Sequence, residues 1–203
     1  MTKHIHSILC LGDSYTVGES VALHESFPYQ TLQLLRKKGL HFHAPEIVAK
    51  TGWTTFELAD HILHTLFSGQ YDFVTLLIGV NNQYRSFGAD DYKNDFEFLL
   101  RKAIHFAGDN PQHVIVLSIP DWSATQHAKE KEKKKISLEI DTFNSINKSI
   151  SAQYKVQYIN ITESTREAIK DKSLMAPDSL HPSGKEYAKW ANHLADIIQK
   201  LTG

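Results

Sequence analysis

The sequence has one cysteine, Cys10, so no intramolecular disulfide can staple the fold, and so low a thiol count fits a reducing compartment. It has no apolar run long enough to cross a bilayer, and no helix rich in Lys and Arg on one face, so no stable membrane association is expected. Net charge is nearly absent. Lys and Arg number 22 against 23 Asp and Glu, a formal net charge of -1, which leaves no positive field to draw in a phosphate backbone and argues against nucleic acid as a partner. The stretch Met1 to Ser7 leads into an apolar run, Ile8 to Leu11, that is too short and too interrupted by His for the core of a signal peptide; a cytoplasmic location is expected. No internal repeat is visible. What is present is 203 residues, 41% hydrophobic and 22% charged, with no linker-like stretch, which predicts one domain with a sizeable core.

Short apolar runs alternate with segments of helical period, the pattern of an α/β fold built on a parallel sheet with crossover helices. Strands are expected at Ile5 to Leu11, Pro45 to Ala49, Asp72 to Ile78, His113 to Ile119 and Val156 to Ile161. The third and fourth are continuously apolar, as strands buried on both faces are. The first helix has Ser26 as a candidate cap, Pro28 in its first turn and Gly39 past its end. The second opens on Thr54-x-x-Glu57, a capping-box spacing, and carries Leu58, Ile62 and Leu66 on one face. Two more run from about Asp90 to Phe106 and from about Ile136 to Gln153. The last is expected from Ser183-x-x-Glu186, with Tyr187, Trp190, Ala191, Leu194, Ile198 and Leu201 on one stripe.

In an open parallel sheet the carboxyl end of each strand feeds a loop on one rim, and ligands bind there. Following the expected strands in turn stand Gly12-Asp13-Ser14-Tyr15, Thr51-Gly52-Trp53, Gly79-Val80-Asn81-Asn82 and Asp178-Ser179-Leu180-His181-Pro182. Those residue types suit acyl transfer. A serine hydroxyl needs a base within hydrogen-bond reach, and the base needs a third group to fix its tautomer; Ser14, His181 and Asp178 supply these roles. Asp178 and His181 lie three residues apart, so a single turn can hold the pair. Negative charge on the reacting carbonyl oxygen needs fixed donors, for which the candidates are Ser14 N–H, Gly52 N–H and the Asn81 side-chain amide. Glycine at position 52 lets the main chain approach a ligand closely. Asp13 is expected to be a turn acceptor without a catalytic role.

Gly12-Asp13-Ser14, Gly52, Gly79-x-Asn81 and Asp178-x-x-His181-Pro182 resemble, in order, the four sequence blocks of the SGNH (GDSL-type) hydrolase superfamily of esterases and lipases. The resemblance runs from Gly12 to Pro182. It implies a three-layer α/β/α flavodoxin-like sandwich with a five-stranded parallel sheet in the order 2-1-3-4-5. It also implies Ser14 as nucleophile, His181 as base oriented by Asp178, and Ser14, Gly52 and Asn81 as the oxyanion hole. Two positions depart from the pattern. Asn82 stands where the family often has Asp, which alters a structural anchor, and Tyr15 stands where the short family name has Leu.

The function these residues predict is a serine esterase that needs no cofactor and no metal, acting through an acyl-enzyme on a small or short-chain acyl ester, since no secretion signal points to extracellular lipid or polysaccharide. An acyltransferase, thioesterase or lysophospholipase could use the same residues. A non-catalytic flavodoxin-like binding domain is the alternative of another class. The 12 His include His4-x-His6, His41-x-His43 and His61-x-x-His64, but no His-Glu-x-x-His or Cys-rich motif occurs, and the spacings are poor for a metal. Cys10 is expected to be a buried packing residue. Tyr15, Trp53, Tyr84, Trp122 and Met175 cluster around the rim, either packing loops or walling a substrate pocket. Lys129 to Lys135 is a charged run, either a solvated helix start or a lid.

Overall fold

The continuous apolar runs form the middle of the sheet in the computed structural model, which describes residues 4–67 and 69–202. Met1, Thr2 and Lys3, part of the stretch weighed as a leader, lie outside the described residues. Ile8–Asp13 (β1), Phe73–Leu77 (β3) and Val114–Leu117 (β4) are buried at every residue. Glu46–Lys50 (β2) and Gln157–Ile159 (β5) are partly exposed and form the two edges. All neighbours pair in parallel, in the order β2-β1-β3-β4-β5. β1 starts later than its apolar pattern, because Ile5 is exposed and His6 makes only an isolated bridge to Phe42.

The helices are Ser14–Val17 (α1), Phe27–Lys37 (α2), Thr55–Leu63 (α3), Val80–Tyr84 (α4), Ala89–Phe106 (α5), Lys133–Gln153 (α6), Thr162–Arg166 (α7) and Gly184–Thr202 (α8). α2 and α8 pack on each other to form one outer layer, while α3, α5 and α6 follow one another in the second. The fold is the expected three-layer α/β/α sandwich. Buried Tyr187, Trp190, Ala191, Leu194 and Ile198 are the inner stripe of α8, and Phe27 packs against the rings of Tyr187 and Trp190. No helix among the described residues is long and apolar enough to cross a membrane.

Three local expectations change. Ser26 does precede α2, but its hydroxyl donates to the Leu23 carbonyl instead of capping the helix. α3 begins with the Thr54–Glu57 capping box yet stops at Leu63, so Leu66 lies beyond it and is fully exposed. Ser183 and Glu186 form no box: the Ser183 hydroxyl donates to the Ser173 carbonyl, and Glu186 is buried, accepting from Trp190 Nε1 and the Ser164 hydroxyl. A carboxylate with interior donors is held inside rather than folded back over a helix end.

Candidate active site

The chain leaves β1 for β2 on one side while β3 lies on the other, so a crevice opens at the carboxyl end of β1, where Ser14 stands. The Asp13 side chain accepts from Tyr15 N–H at 3.0 Å and turns the strand sharply into α1. Gly12 must be glycine, because a Cβ there would sit 2.1 Å from Thr16 Oγ1 and 2.5 Å from the Leu77 carbonyl. Close contact with β3 and α1 thus fixes the backbone that presents Ser14.

His181 comes from the loop before α8. That loop is closed by Ala176 N–H to His181 O at 2.8 Å and by an isolated bridge between Met175 and Pro182. Within it, Asp178 Oδ1 accepts the backbone N–H groups of Leu180 and His181, both at 3.0 Å. Its Oδ2 lies 2.6 Å from His181 Nδ1, and His181 Nε2 lies 2.9 Å from Ser14 Oγ. With a carboxylate at Nδ1, the neutral ring carries its proton there and presents a lone pair to the hydroxyl. Burial alone would raise the Asp178 pKa, but donors from His181, Leu180 and Ser20 outweigh it and hold the carboxyl far below its usual range. The Tyr15 ring packs against the imidazole with centroids 5.0 Å apart.

Asn81 is tied to the turn that carries Gly52. Lys50 to Trp53 form a turn closed by Trp53 N–H to Lys50 O at 3.2 Å, with Gly52 at φ 82°, the left-handed value that favours glycine at this place in a turn. Asn81 Nδ2 donates to the Trp53 carbonyl at 2.9 Å, and Arg85 Nη2 donates to the Gly52 carbonyl at 2.6 Å. Asn82 is buried beside them. It accepts Thr55 N–H at 3.0 Å and donates to Thr55 Oγ1 at 2.7 Å, which in turn donates to Asp95 Oδ2 at 2.9 Å. An amide fits this chain because it supplies the donor that a carboxylate lacks.

Ser14, Asn81 and His181 line a pocket of about 190 Å³, with Tyr15, Tyr84 and Trp122 among its walls. Asp178 sits behind His181, and Gly52 is not among the lining residues. The rim aromatics divide: Trp53 packs on His61, and Met175 lines a smaller neighbouring cavity of about 20 Å³. Two groups escaped the sequence reading. Ser20 Oγ donates to Asp178 Oδ2 at 2.7 Å from a backbone at φ 63°, and His127 Nε2 lies 3.0 Å from the Asp178 carbonyl while lining the pocket. His127 could have been suspected from its place after β4; Ser20 carries no signal, since its contact spans 158 residues. The charged run joins the turn before α6 and the helix's first residues. Cys10 is buried in β1, and burial pushes its thiol up to about 12.

Asp13 is fully buried, and burial pushes its carboxyl up to about 7 despite the Tyr15 N–H bond. Asp13 then holds its proton more tightly folded than unfolded. Its contribution to stability is complete below its ordinary value of 3.8 and is lost as pH rises towards about 7. Asn at this position keeps an oxygen for Tyr15 N–H and removes the titration. Between pH 5 and 8 Asp13→Asn is expected to lose about 2 to 3 kcal/mol less unfolding free energy than the native chain. Urea melts at the two pH values measure this, and equal losses in both proteins would refute it.

A sequence model described as the GDSL-like lipase/acylhydrolase family matches residues 10–189. No curated protein matches the chain by sequence. Among solved structures, an acetylxylan esterase from Geobacillus stearothermophilus superposes with TM-score 0.75 at 16% identity, over 97% of this chain and 95% of that one. A psychrotrophic esterase from Pseudoalteromonas sp. gives TM-score 0.71 at 18% identity, over 97% and 98% of the two chains. A lipase/acylhydrolase from Enterococcus faecalis gives 0.73 at 17%, over 97% and 96%. At these identities the structural likeness speaks for the fold, while the sequence match spans nearly the whole chain. The protein therefore belongs to the GDSL-like lipase/acylhydrolase family and is a hydrolase of carboxylic esters.

Proposed function

We propose that this protein cleaves small, short-chain acyl esters through an acyl-enzyme on Ser14. The observation that carries the proposal is the unbroken line from Ser14 Oγ to His181 Nε2 at 2.9 Å and from His181 Nδ1 to Asp178 Oδ2 at 2.6 Å, facing a pocket. His181 takes the Ser14 proton as the oxygen attacks the ester carbonyl. The oxyanion is held by Ser14 N–H, Gly52 N–H and Asn81 Nδ2. Collapse of the adduct breaks the ester C–O bond, and His181 returns the proton to the departing alcohol. Water then attacks the acyl-enzyme with His181 again as base, releasing the carboxylic acid and restoring Ser14.

The pocket's size favours a small substrate. Its volume of about 190 Å³ falls below the roughly 300 Å³ at which pockets for drug-sized molecules begin. Tyr15, Tyr84 and Trp122 supply an apolar wall for a short acyl or alcohol group. The Geobacillus neighbour is an acetylxylan esterase, which agrees with an acyl group of that size. We place the reaction on a soluble ester in the cytoplasm, with no cofactor.

A fluorophosphonate probe tests the assignment. Mass spectrometry is expected to find the adduct on the Ser14 peptide, and p-nitrophenyl acetate and butyrate are expected to be hydrolysed faster than the octanoate. An adduct on another residue, or none, would overturn the role of Ser14. Preference for the octanoate would overturn the short-chain reading alone.

A further inference from the structure

We propose that the amino end of the sheet, opposite the ester site, holds a divalent transition-metal ion between His4, His6 and Asp72. The topology makes the cluster. β1 and β3 are parallel neighbours, so the residues just before each strand emerge side by side, and Asp72 meets His4 across 68 residues of sequence. The spacing His4-x-His6 alone pointed to nothing because its third partner stands before another strand, far along the chain.

The ligand atoms are close to their bound positions. His4 Nε2 lies 2.8 Å and His6 Nδ1 3.5 Å from the same oxygen, Asp72 Oδ1, and all three atoms lie within 4.8 Å of one another. A tetrahedral zinc ion with bonds of about 2.0 to 2.1 Å holds neighbouring ligand atoms roughly 3.3 Å apart. Both separations from Asp72 Oδ1 lie within about half an ångström of that value, and rotation of the exposed His4 side chain can bring the two ring nitrogens together.

An ion pair between His4 and Asp72 explains only part of this arrangement. His6 Nδ1 is buried with no hydrogen-bond partner, a costly state for a ring nitrogen. Its ring cannot easily turn away, being set against Phe42 and Phe73 with centroids 5.0 and 6.2 Å distant. A cation beside Asp72 Oδ1 gives that lone pair its partner. The outer groups suit this too: Ser7 N–H and Ser7 Oγ donate to Asp72 Oδ2 at 2.7 and 3.0 Å, which leaves Oδ1 for the metal. His4 is 65% exposed, so the ion has a way in.

Two imidazoles and one carboxylate select a borderline ion such as zinc over calcium or magnesium, which demand oxygen ligands. Three protein ligands leave the fourth position to water. From His6 to Ser14 the extended chain covers roughly 25 Å, so the ion would clasp the start of β1 to β3 and leave turnover unchanged.

Calorimetric titration of the chelator-treated full chain with zinc chloride tests the site, with calcium chloride as the control. One saturable zinc per chain is expected, with no saturable calcium. At a roughly hundredfold excess over Kd, zinc should raise the thermal midpoint by about 5 to 10 °C. His4→Ala and His6→Ala should each weaken zinc binding at least about 100-fold, and Ser7→Ala about 10-fold. His4 is exposed, so its replacement leaves the fold intact and keeps the test decisive. His181→Ala should bind zinc as the native chain does. Zinc that fails to saturate, or that binds His4→Ala and His6→Ala chains as tightly as the native one, overturns the proposal.

Discussion

Ser14→Ala is expected to lower kcat/KM for p-nitrophenyl acetate by roughly 10⁴- to 10⁶-fold, the scale on which losing an activated nucleophile acts. The change removes one oxygen whose described side-chain partner is His181 Nε2. Gly12, Asp13 and the α1 backbone that place this residue do not depend on the hydroxyl, so the fold and the pocket walls should persist. Binding of a non-reactive ester analogue should then change by no more than a few fold, and the loss should fall on kcat. His181→Ala should cost a similar factor. The double variant should be hardly worse than either, because the two groups act as a unit and what remains comes from the N–H donors and binding alone. A loss below about 100-fold, or losses that multiply in the double variant, would mean that Ser14 is not the nucleophile.

How much of this was legible in sequence depends on the range of each interaction. β3 and β4 stood out because strands covered on both faces must be apolar at every position. β1 was harder to bound: His6 and Ile5 share its alternation but lie outside the ladder, and its last residues, Gly12 and Asp13, are chosen by contacts with Thr16, Leu77 and Tyr15 instead of by hydropathy. The Asp178–His181 pair could be anticipated because one turn suffices to join two residues so close in the chain. Its partner Ser20 could not, since nothing in a serine's surroundings announces a bond to a distant carboxylate. Glu186 misled for a related reason. Its spacing from Ser183 imitates a capping box, but the tertiary fold offers it the Trp190 and Ser164 donors, and burial with those partners wins over the local alternative. Short helices such as α4 and α7 escaped because one turn and a half leaves too few residues to show a period.

Asp178→Asn is expected to lower kcat by roughly 10³- to 10⁴-fold, although it alters the shape of the side chain hardly at all. The reason lies in which oxygen the amide must replace. Asp178 Oδ1 accepts two backbone N–H groups, from Leu180 and His181, whereas Oδ2 accepts from His181 Nδ1 and from the Ser20 hydroxyl. An asparagine that turned its NH₂ towards the backbone would set donor against two donors. The amide oxygen is therefore held at the Oδ1 position, and the NH₂ is forced against His181 Nδ1, while Ser20 can rotate to accept from it. A ring that accepts at Nδ1 carries its proton on Nε2, and Nε2–H cannot take the proton of Ser14. The variant should thus fold with a thermal midpoint near that of the native chain, bind substrate analogues as well, and react with a fluorophosphonate as slowly as it turns over. Asp178→Ala should retain more activity than Asp178→Asn, because the freed ring can sample both tautomers. Wild-type rates in the asparagine variant would show that the carboxylate does not orient the imidazole. A variant that is slow only because it is unfolded would reveal itself by its lost thermal transition.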